Sequence, residues 1–168
     1  MTDFIVTSDG RFITPDSEYR AALGKGGVVT EARKREGDSA TPLGRYRLRR
    51  ALYRPDRGAP PETGLPMRAL REDDGWCDAP DDPAYNRPVR LPYPASCEQM
   101  WRHDELYDIV VILDHNDHPP VAGAGSAIFL HCAKPDYPPT LGCVALRRAD
   151  LEAVLKMAQP GDALEIRR

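Results

Sequence analysis

The sequence has no apolar run of about 18 residues, which excludes a transmembrane helix. It has no excess of positive charge either, because 23 lysines and arginines stand against 26 acidic residues, so composition gives no electrostatic argument for nucleic-acid binding. Its four cysteines form no CxxC pair, which argues against a zinc ribbon. The first residues lack a charged stretch followed by an apolar one, so we expect no secretory signal in this chain.

Proline, in contrast, is abundant: 17 of 168 residues, when a typical protein has about 5%. Many of these prolines lie between Pro55 and Pro94. Because proline fixes φ and removes a backbone donor, this predicts a long irregular segment over residues 54–105. We interpret the chain as a single domain, 1–168, in which 54–105 is an insertion that could fold over a cleft as a lid. One short helix is expected near Cys97–Arg102.

Alternating and continuous apolar segments predict strands over much of the remaining chain. Asp9-Gly10 is typical of a tight hairpin turn and predicts an antiparallel pair on either side of it. The predicted strands are Asp3–Ser8, Arg11–Thr14, Arg45–Arg50, Ile109–Leu113, Ala127–His131 and Ala163–Arg168.

The best helical pattern lies near the end of the chain. Leu151, Val154, Leu155 and Ala158 have the i, i+3, i+4, i+7 spacing of one helix face, and Pro160-Gly161 ends the pattern. With the strands, this predicts a β-rich α+β fold, a small β-sandwich or mixed sheet with one helix.

His131 and Cys143 are the candidates for chemistry. His131 ends a predicted buried strand, and Cys143 follows Gly142 twelve positions later. A thiolate is the reactive form of cysteine, and a neighbouring imidazole can take its proton and hold an ion pair with it. A glycine permits a sharp turn, so we expect the N–H groups of Gly142 and Cys143 to stabilise an oxyanion. The pattern predicts a nucleophile, Cys143, and its base, His131, although inert buried cysteines and core histidines are common.

The stretch Gly125–Leu151 resembles the active-site region of the YkuD-type L,D-transpeptidases. The family pattern is a histidine at a strand end, then serine or threonine, a variable residue and Gly-Cys. Here that pattern is supplied by His131, Thr140, Leu141, Gly142 and Cys143. A second stretch is similar to the family's Thr-Pro-x-Gly-x-aromatic segment, through Thr41, Pro42, Gly44 and Tyr46.

The sequence departs from the family pattern at two positions beside the cysteine. Leu141 stands where the family commonly has histidine, and Ala145 stands where it commonly has arginine. The nearest arginines are Arg147 and Arg148. The gap from the histidine to the cysteine is also shorter than usual. These changes leave the expected nucleophile and base in place and bear on substrate contacts.

The resemblance implies a cysteine acyltransferase that forms a thioester with a peptidoglycan stem peptide, which an amine of a second stem or water then resolves. Cys143 would be the nucleophile and His131 the general base, then acid. Either the carbonyl of Cys132 or the side chain of Asp136 would orient the imidazole. The expected product is a 3-3 or 1-3 cross-link, with L,D-carboxypeptidase activity when water resolves the thioester. The residues expected to contact substrate are Ser126, Tyr137, Thr140 and Arg147.

The implied partners are donor and acceptor stem peptides, with carbapenem β-lactams as covalent inhibitors, and neither a cofactor nor a metal is expected. Such a substrate implies the periplasm or cell envelope, whereas the missing export signal leaves a cytoplasmic role open. Two alternatives remain: a cell-wall-binding module without catalysis, and a metal-dependent hydrolase that uses His115 and His118. Strand alternation predicts that Cys132 faces away from His131 and packs in the core.

Overall fold

The computed structural model describes all 168 residues. The chain forms one α-helix, α1 (Arg148–Met157), one 3-10 turn (Glu31–Arg33) and fourteen β-strands. In chain order the strands are β1 (Asp3–Thr7), β2 (Arg11–Ile13), β3 (Glu18–Ala22), β4 (Val28–Val29), β5 (Thr41–Pro42), β6 (Gly44–Tyr53), β7 (Met67–Ala69), β8 (Asp74–Cys77), β9 (Pro88–Arg90), β10 (Cys97–Gln99), β11 (Ile109–Leu113), β12 (Phe129–Cys132), β13 (Val144–Leu146) and β14 (Ala163–Arg167). Neither helical segment has the length and apolar character that crossing a membrane requires.

Eight strands close on themselves in the order β11-β12-β13-β3-β2-β1-β14-β6, and β6 pairs again with β11. The closure depends on the length of β6, because its first part (residues 44–47) pairs with β14 and its second part (residues 48–53) pairs with β11. The short strand β7 adds to β6 in parallel. The result is a barrel-like β-sandwich, which confirms the β-rich class predicted from the sequence.

The interior of the barrel is filled by one face of each strand and by the helix. Ile109, Val111 and Leu113 of β11 point into this inner cluster. The helical spacing singled out four residues, Leu151, Val154, Leu155 and Ala158, and all four belong to the same cluster, with Ala158 directly after the helix. The helix therefore closes the barrel core with the face predicted from the sequence.

A second apolar cluster lies on the outer face of the barrel. Val110 and Ile112, the other residues of β11, pack there with Phe129 of β12. This explains why the run Ile109–Leu113 is apolar throughout, because β11 is buried on both faces. The cover is a three-stranded antiparallel sheet, β10-β8-β9, which contributes Trp76 to this outer cluster.

The cover sheet lies within residues 54–105, where the sequence predicted irregular chain. The expected helix near Cys97–Arg102 is wrong, because Cys97–Gln99 forms strand β10 and pairs with β8. Proline is compatible with this sheet because Pro88 begins β9, which lies at the sheet edge and can leave a donor position empty. The interpretation of 54–105 as an insertion stays a prediction.

The other predicted strands differ from the structure only at their boundaries, and β3 and β13, which also belong to the barrel, were not predicted. The hairpin is confirmed, with Gly10 at a φ of +86° between β1 and β2. The buried strand expected from Ala127 begins instead at Phe129, because Ala127 has a φ of +53°, outside the extended region. All four cysteines are free thiols.

Candidate active site

Neighbouring parallel strands bring the two candidate residues together. In the register of β12 and β13, Leu130 lies opposite Val144 and His131 opposite Ala145. Cys143 comes directly before β13, two positions before Ala145, so alternation puts its side chain on the same face as His131. That face belongs to the outer cluster, which includes Cys143. Cys132 points the other way, into the inner cluster, as alternation predicted.

A cleft of about 670 Å³ opens beside this pair. Its volume is within the range typical of ligand pockets. Of the expected site residues, His131, Cys143, Ser126 and Thr140 line this cleft. Gly142, Tyr137 and Arg147 do not line it. The Tyr137 ring lies under the guanidinium of Arg20, and the largely exposed Arg147 pairs with Asp150 at 3.0 Å.

The Cys143 thiol is buried and has two backbone partners. Its S–H donates to the carbonyl of Ala127 at 3.1 Å, and the N–H of Phe129 donates to the sulfur at 3.3 Å. Burial raises the thiol pKa to about 12, and the nearby carboxylate of Glu98 adds to that rise. The thiol is therefore protonated at neutral pH.

The imidazole of His131 has a fixed orientation. Nδ1 lies 2.8 Å from the carbonyl oxygen of Cys132, and because a carbonyl only accepts, Nδ1 must carry the proton. Two groups were expected to orient the ring, the Cys132 carbonyl and the Asp136 side chain. In the structure the Cys132 carbonyl orients it. Tyr107 contacts the ring edge-on, with centroids 5.4 Å apart. Nε2 makes no hydrogen bond within the protein and is available as a base.

The expected ion pair between thiolate and imidazolium is absent from this structure. Burial lowers the pKa of His131 to about 4, so the imidazole is neutral where the Cys143 thiol is also neutral. The thiol hydrogen bond goes to Ala127 and none joins Cys143 to His131. At neutral pH the surroundings therefore favour the neutral pair, and we expect a bound molecule to change them before a thiolate forms.

Gly142 occupies a turn that excludes a side chain, as expected, but its N–H is not free. Its φ is +132°, and a Cβ at this position would lie 3.0 Å from the carbonyl oxygen of Ala40. Its N–H donates to Oγ1 of Thr140 at 3.1 Å, and that hydroxyl donates to the carbonyl of Cys143 at 2.6 Å. The expectation that the Gly142 N–H is free to stabilise an oxyanion is therefore wrong for this structure, and Thr140 holds the turn.

Asn86, which sequence reasoning missed, fixes the segment that holds the thiol. Its Oδ1 accepts from the Trp76 indole at 2.9 Å and from the Ala127 N–H at 3.1 Å. Its Nδ2 donates to the carbonyls of His115 and Asn116. Asn86 thus joins the cover sheet to the residue whose carbonyl accepts the Cys143 thiol. The sequence offered only an asparagine, a residue type that favours turns, and the structure gives it a φ of +55°.

Ser126 is engaged inside the protein. Its hydroxyl donates to Oε1 of Glu36 at 2.6 Å, and the Tyr85 hydroxyl donates to the same oxygen at 2.6 Å. Tyr85 in turn accepts from the N–H of Gly125 at 3.0 Å. This network ties the cover sheet to the loop before β12 and forms one wall of the cleft.

His115 and His118 do not share a metal-ligand arrangement. His115 is buried with Nε2 3.3 Å from the carbonyl of Ala124, whereas His118 is exposed and lies 2.7 Å from a guanidinium nitrogen of Arg49. No group of three or more His, Cys, Asp or Glu side chains is placed to hold a metal ion. The metal-hydrolase alternative therefore has no ligand cluster to use.

A buried thiol and an oriented imidazole on neighbouring strands, beside a cleft, define a candidate cysteine enzyme. The sequence matches the family model described as YkuD, L,D-transpeptidase catalytic domain, over residues 4–166. The chain therefore belongs to the YkuD family of L,D-transpeptidase catalytic domains.

Solved structures give distant similarities. L,D-transpeptidase 3 from Mycobacterium tuberculosis, in complex with a faropenem-derived adduct, is 14% identical over 99% of this chain and 60% of its own, with a TM-score of 0.49. L,D-transpeptidase 1 from the same organism is 12% identical over 99% and 59%, with a TM-score of 0.45. An L,D-transpeptidase from Mycobacterium smegmatis is 11% identical over 99% and 58%, with a TM-score of 0.45.

The chain spans about 60% of the length of these proteins. No curated protein matches it.

Proposed function

We propose that this protein is an L,D-transpeptidase that joins two peptidoglycan stem peptides through a thioester on Cys143. The observation on which this rests is that Cys143 and His131 open on one cleft within a YkuD catalytic domain. The free Nε2 of His131 fits the part of the base, because the opposite ring nitrogen is held by the Cys132 carbonyl.

In the acylation step, the donor stem enters the cleft and the thiol exchanges the Ala127 carbonyl for Nε2 of His131. The proton passes to the imidazole while Sγ attacks the acyl carbon, and the C–N bond to the terminal D-residue breaks. The imidazolium then protonates the leaving amine. Charge that develops on sulfur is stabilised by the N–H of Phe129, which already donates to Sγ at 3.3 Å.

The second step decides the product. An amine of another stem attacks the thioester and gives a cross-link of the 3-3 or 1-3 type, whereas water gives L,D-carboxypeptidase activity. Carbapenem β-lactams would acylate Cys143 in the same way. Such a substrate favours a location in the cell envelope or periplasm. Fractionating native cells distinguishes this location from a cytoplasmic role on precursors.

The test incubates the protein with a disaccharide-tetrapeptide and measures dimers by mass spectrometry. We expect dimers from the wild type and none from Cys143→Ala or His131→Ala. Cys132→Ala is the matched control, because it removes the adjacent thiol that faces the inner cluster. Dimers that persist in Cys143→Ala would disprove the thioester mechanism.

A non-catalytic wall-binding module is the second candidate, and the observation that favours it is the neutral resting thiol. The intact mass of the protein after exposure to a carbapenem separates the two candidates. Our proposal expects one adduct, on Cys143. If the protein is instead a wall-binding module, we expect no adduct. We also expect Cys143→Ala to leave its binding to isolated peptidoglycan unchanged.

A further inference from the structure

Two side chains of opposite charge, Glu98 and Arg102, line the same cleft as Cys143. Glu98 lies in β10 and Arg102 follows four residues later. Nη1 of Arg102 is 4.0 Å from Oε1 of Glu98, which is too long for a hydrogen bond. The Arg102 side chain is 31% exposed and that of Glu98 is 26% exposed, so both reach the cleft from a largely buried position.

Other residues hold each of these side chains and leave one polar atom of each unused. Arg102 donates from Nε and Nη2 to the two carboxylate oxygens of Asp104, at 2.8 and 2.7 Å, and Nη1 donates to nothing. Glu98 accepts the Tyr107 hydroxyl at Oε1, and no group of the protein donates to Oε2. The pair is therefore oriented in advance, with one acceptor and one donor free.

This pair also lies close to the candidate catalytic residues. The Arg102 guanidinium lies over the Tyr107 ring, 5.2 Å from its centroid, and the same ring contacts His131. Among the other charges of the cleft, Glu36 accepts two hydroxyls and Lys34 pairs with Asp38 at 2.5 Å. Asp78 and Lys134 also line the cleft and form no ion pair, but they are not held in place by side-chain hydrogen bonds as Glu98 and Arg102 are.

We propose that Glu98 and Arg102 bind the zwitterionic head of an amino acid and so select the amine that resolves the thioester. The ligand class is a carbon atom that carries both a free ammonium and a free carboxylate. The free oxygen of Glu98 takes the ammonium and the free nitrogen of Arg102 takes the carboxylate, as charge-assisted hydrogen bonds. This inference rests on the proposed transpeptidase function.

Aminolysis of the thioester removes two protons from the bound ammonium. The bound ammonium gives one proton to the Glu98 carboxylate and becomes a free amine. Its nitrogen forms a bond to the thioester carbon, and His131 takes a second proton from that nitrogen. The C–S bond breaks, His131 returns this proton to Sγ of Cys143, and Glu98 releases its proton to water.

The experiment compares three acceptors with one donor stem: D-alanine, D-alaninamide, which lacks the carboxylate, and ethylamine. Mass spectrometry gives the ratio of aminolysis to hydrolysis for each. For the wild type we expect D-alanine to exceed D-alaninamide by about tenfold or more, the value of one hydrogen bond between charged groups. Arg102→Met should remove this preference, and Glu98→Gln should lower the ratio for all three amines by about tenfold.

Two variants serve as matched controls, because each removes a cleft charge outside the pair. Asp78→Asn removes another carboxylate and Lys134→Met another cation, and both residues line the cleft. Both should keep the wild-type acceptor ratios. Acylation of Cys143 by a carbapenem, at whatever rate, shows that each variant is folded, and Arg102→Lys, which loses the planar fork, replaces Arg102→Met if that variant is not acylated.

An unchanged preference for D-alanine in the Arg102 variant, or an unchanged ratio in Glu98→Gln, would overturn the inference and leave the proposed function intact. Failure of the wild type to be acylated would instead defeat the proposed function. In that case calorimetry with Cys143→Ala still tests the pair, which should bind D-alanine about tenfold more tightly than D-alaninamide. Equal binding would overturn the inference.

Discussion

The thiol of Cys143 donates its hydrogen bond to the carbonyl of Ala127, 3.1 Å away, although an unoccupied imidazole nitrogen opens on the same cleft. Burial favours the neutral form of both groups, since the thiol pKa is raised and the imidazole pKa is lowered. The structure therefore describes a state in which the proposed nucleophile is protonated. Substrate binding would supply the change that moves the proton.

The reactivity of Cys143 toward a small alkylating reagent should rise steeply with pH. Because its pKa is about 12, the thiolate fraction grows about tenfold per pH unit, and alkylation by iodoacetamide should increase from pH 7 to pH 10 without a plateau. Peptide mass spectrometry measures the rate at each cysteine separately. A plateau below pH 8 at Cys143 would mean that a thiolate forms before substrate binds.

Asn86 should be needed for both stability and acylation. Asn86→Ala leaves the Trp76 indole and the Ala127 N–H without their acceptor, and each unpaired buried group costs about 1–3 kcal/mol. Urea denaturation should show a loss of at least about 2 kcal/mol, and carbapenem acylation should slow because Ala127 is no longer held.

Asn86→Asp is the control for that prediction. It keeps an oxygen acceptor for Trp76 and Ala127 but turns a buried carboxylate oxygen toward the two carbonyls in place of the donor, so it should also lose stability while retaining more acylation than Asn86→Ala. Equal acylation in the wild type and Asn86→Ala would show that the Ala127 position does not depend on this residue.

The turn before the nucleophile should not tolerate a side chain. Gly142→Ala combines a φ of +132° with a Cβ that lies 3.0 Å from the Ala40 carbonyl, so we expect a loss of about 1–3 kcal/mol in the free energy of unfolding. Gly123→Ala is the matched control, because it has a φ of +77° and nothing within 4 Å of its Cβ. If both variants lose the same stability, the contact with Ala40 has no energetic role.

The sequence allowed six of the eight barrel strands, the helix and the two central residues to be predicted because their signals are local, whereas β3 and β13 were missed. Apolar alternation and the spacing from Leu151 to Ala158 depend on residues a few positions apart. The cover sheet was missed because its strands are short, and their pairing depends on contacts across many residues, as between Cys77 and Cys97. Proline content predicted irregular chain there, although Pro88 occupies an edge position where it costs no hydrogen bond.

The candidate site also has features with local sequence signals and features that depend on tertiary packing. The proximity of His131 and Cys143 could be expected from a strand end and a Gly-Cys turn. The contributions of Asn86 and Glu98 could not, because both come from the cover sheet region and reach the cleft only through tertiary packing. The hydrogen bond between Gly142 and Thr140 could not be predicted from the sequence either, because residue spacing does not show the direction of a backbone N–H.

Acid should destabilise the protein through its two buried histidines. Burial lowers the pKa of both His115 and His131 to about 4, from 6.5 in an unfolded chain. The unfolded state therefore binds more protons between these two pH values. The contribution of the two histidines to the free energy of unfolding is fully present above pH 6.5 and is lost as the pH falls toward 4. A difference of 2.5 pKa units (6.5 − 4) corresponds to roughly 3 kcal/mol for each residue.

Comparison of the wild type with His115→Phe isolates one of these contributions, because other groups titrate alike in both proteins. Among those groups, Glu98 has a raised pKa and opposes the loss, since the folded state binds its proton first. Between pH 7 and pH 4, urea denaturation should show that His115→Phe loses roughly 3 kcal/mol less than the wild type. An equal loss in both would mean that His115 is protonated in the folded state, with its lone unpartnered nitrogen, Nδ1, reached by solvent.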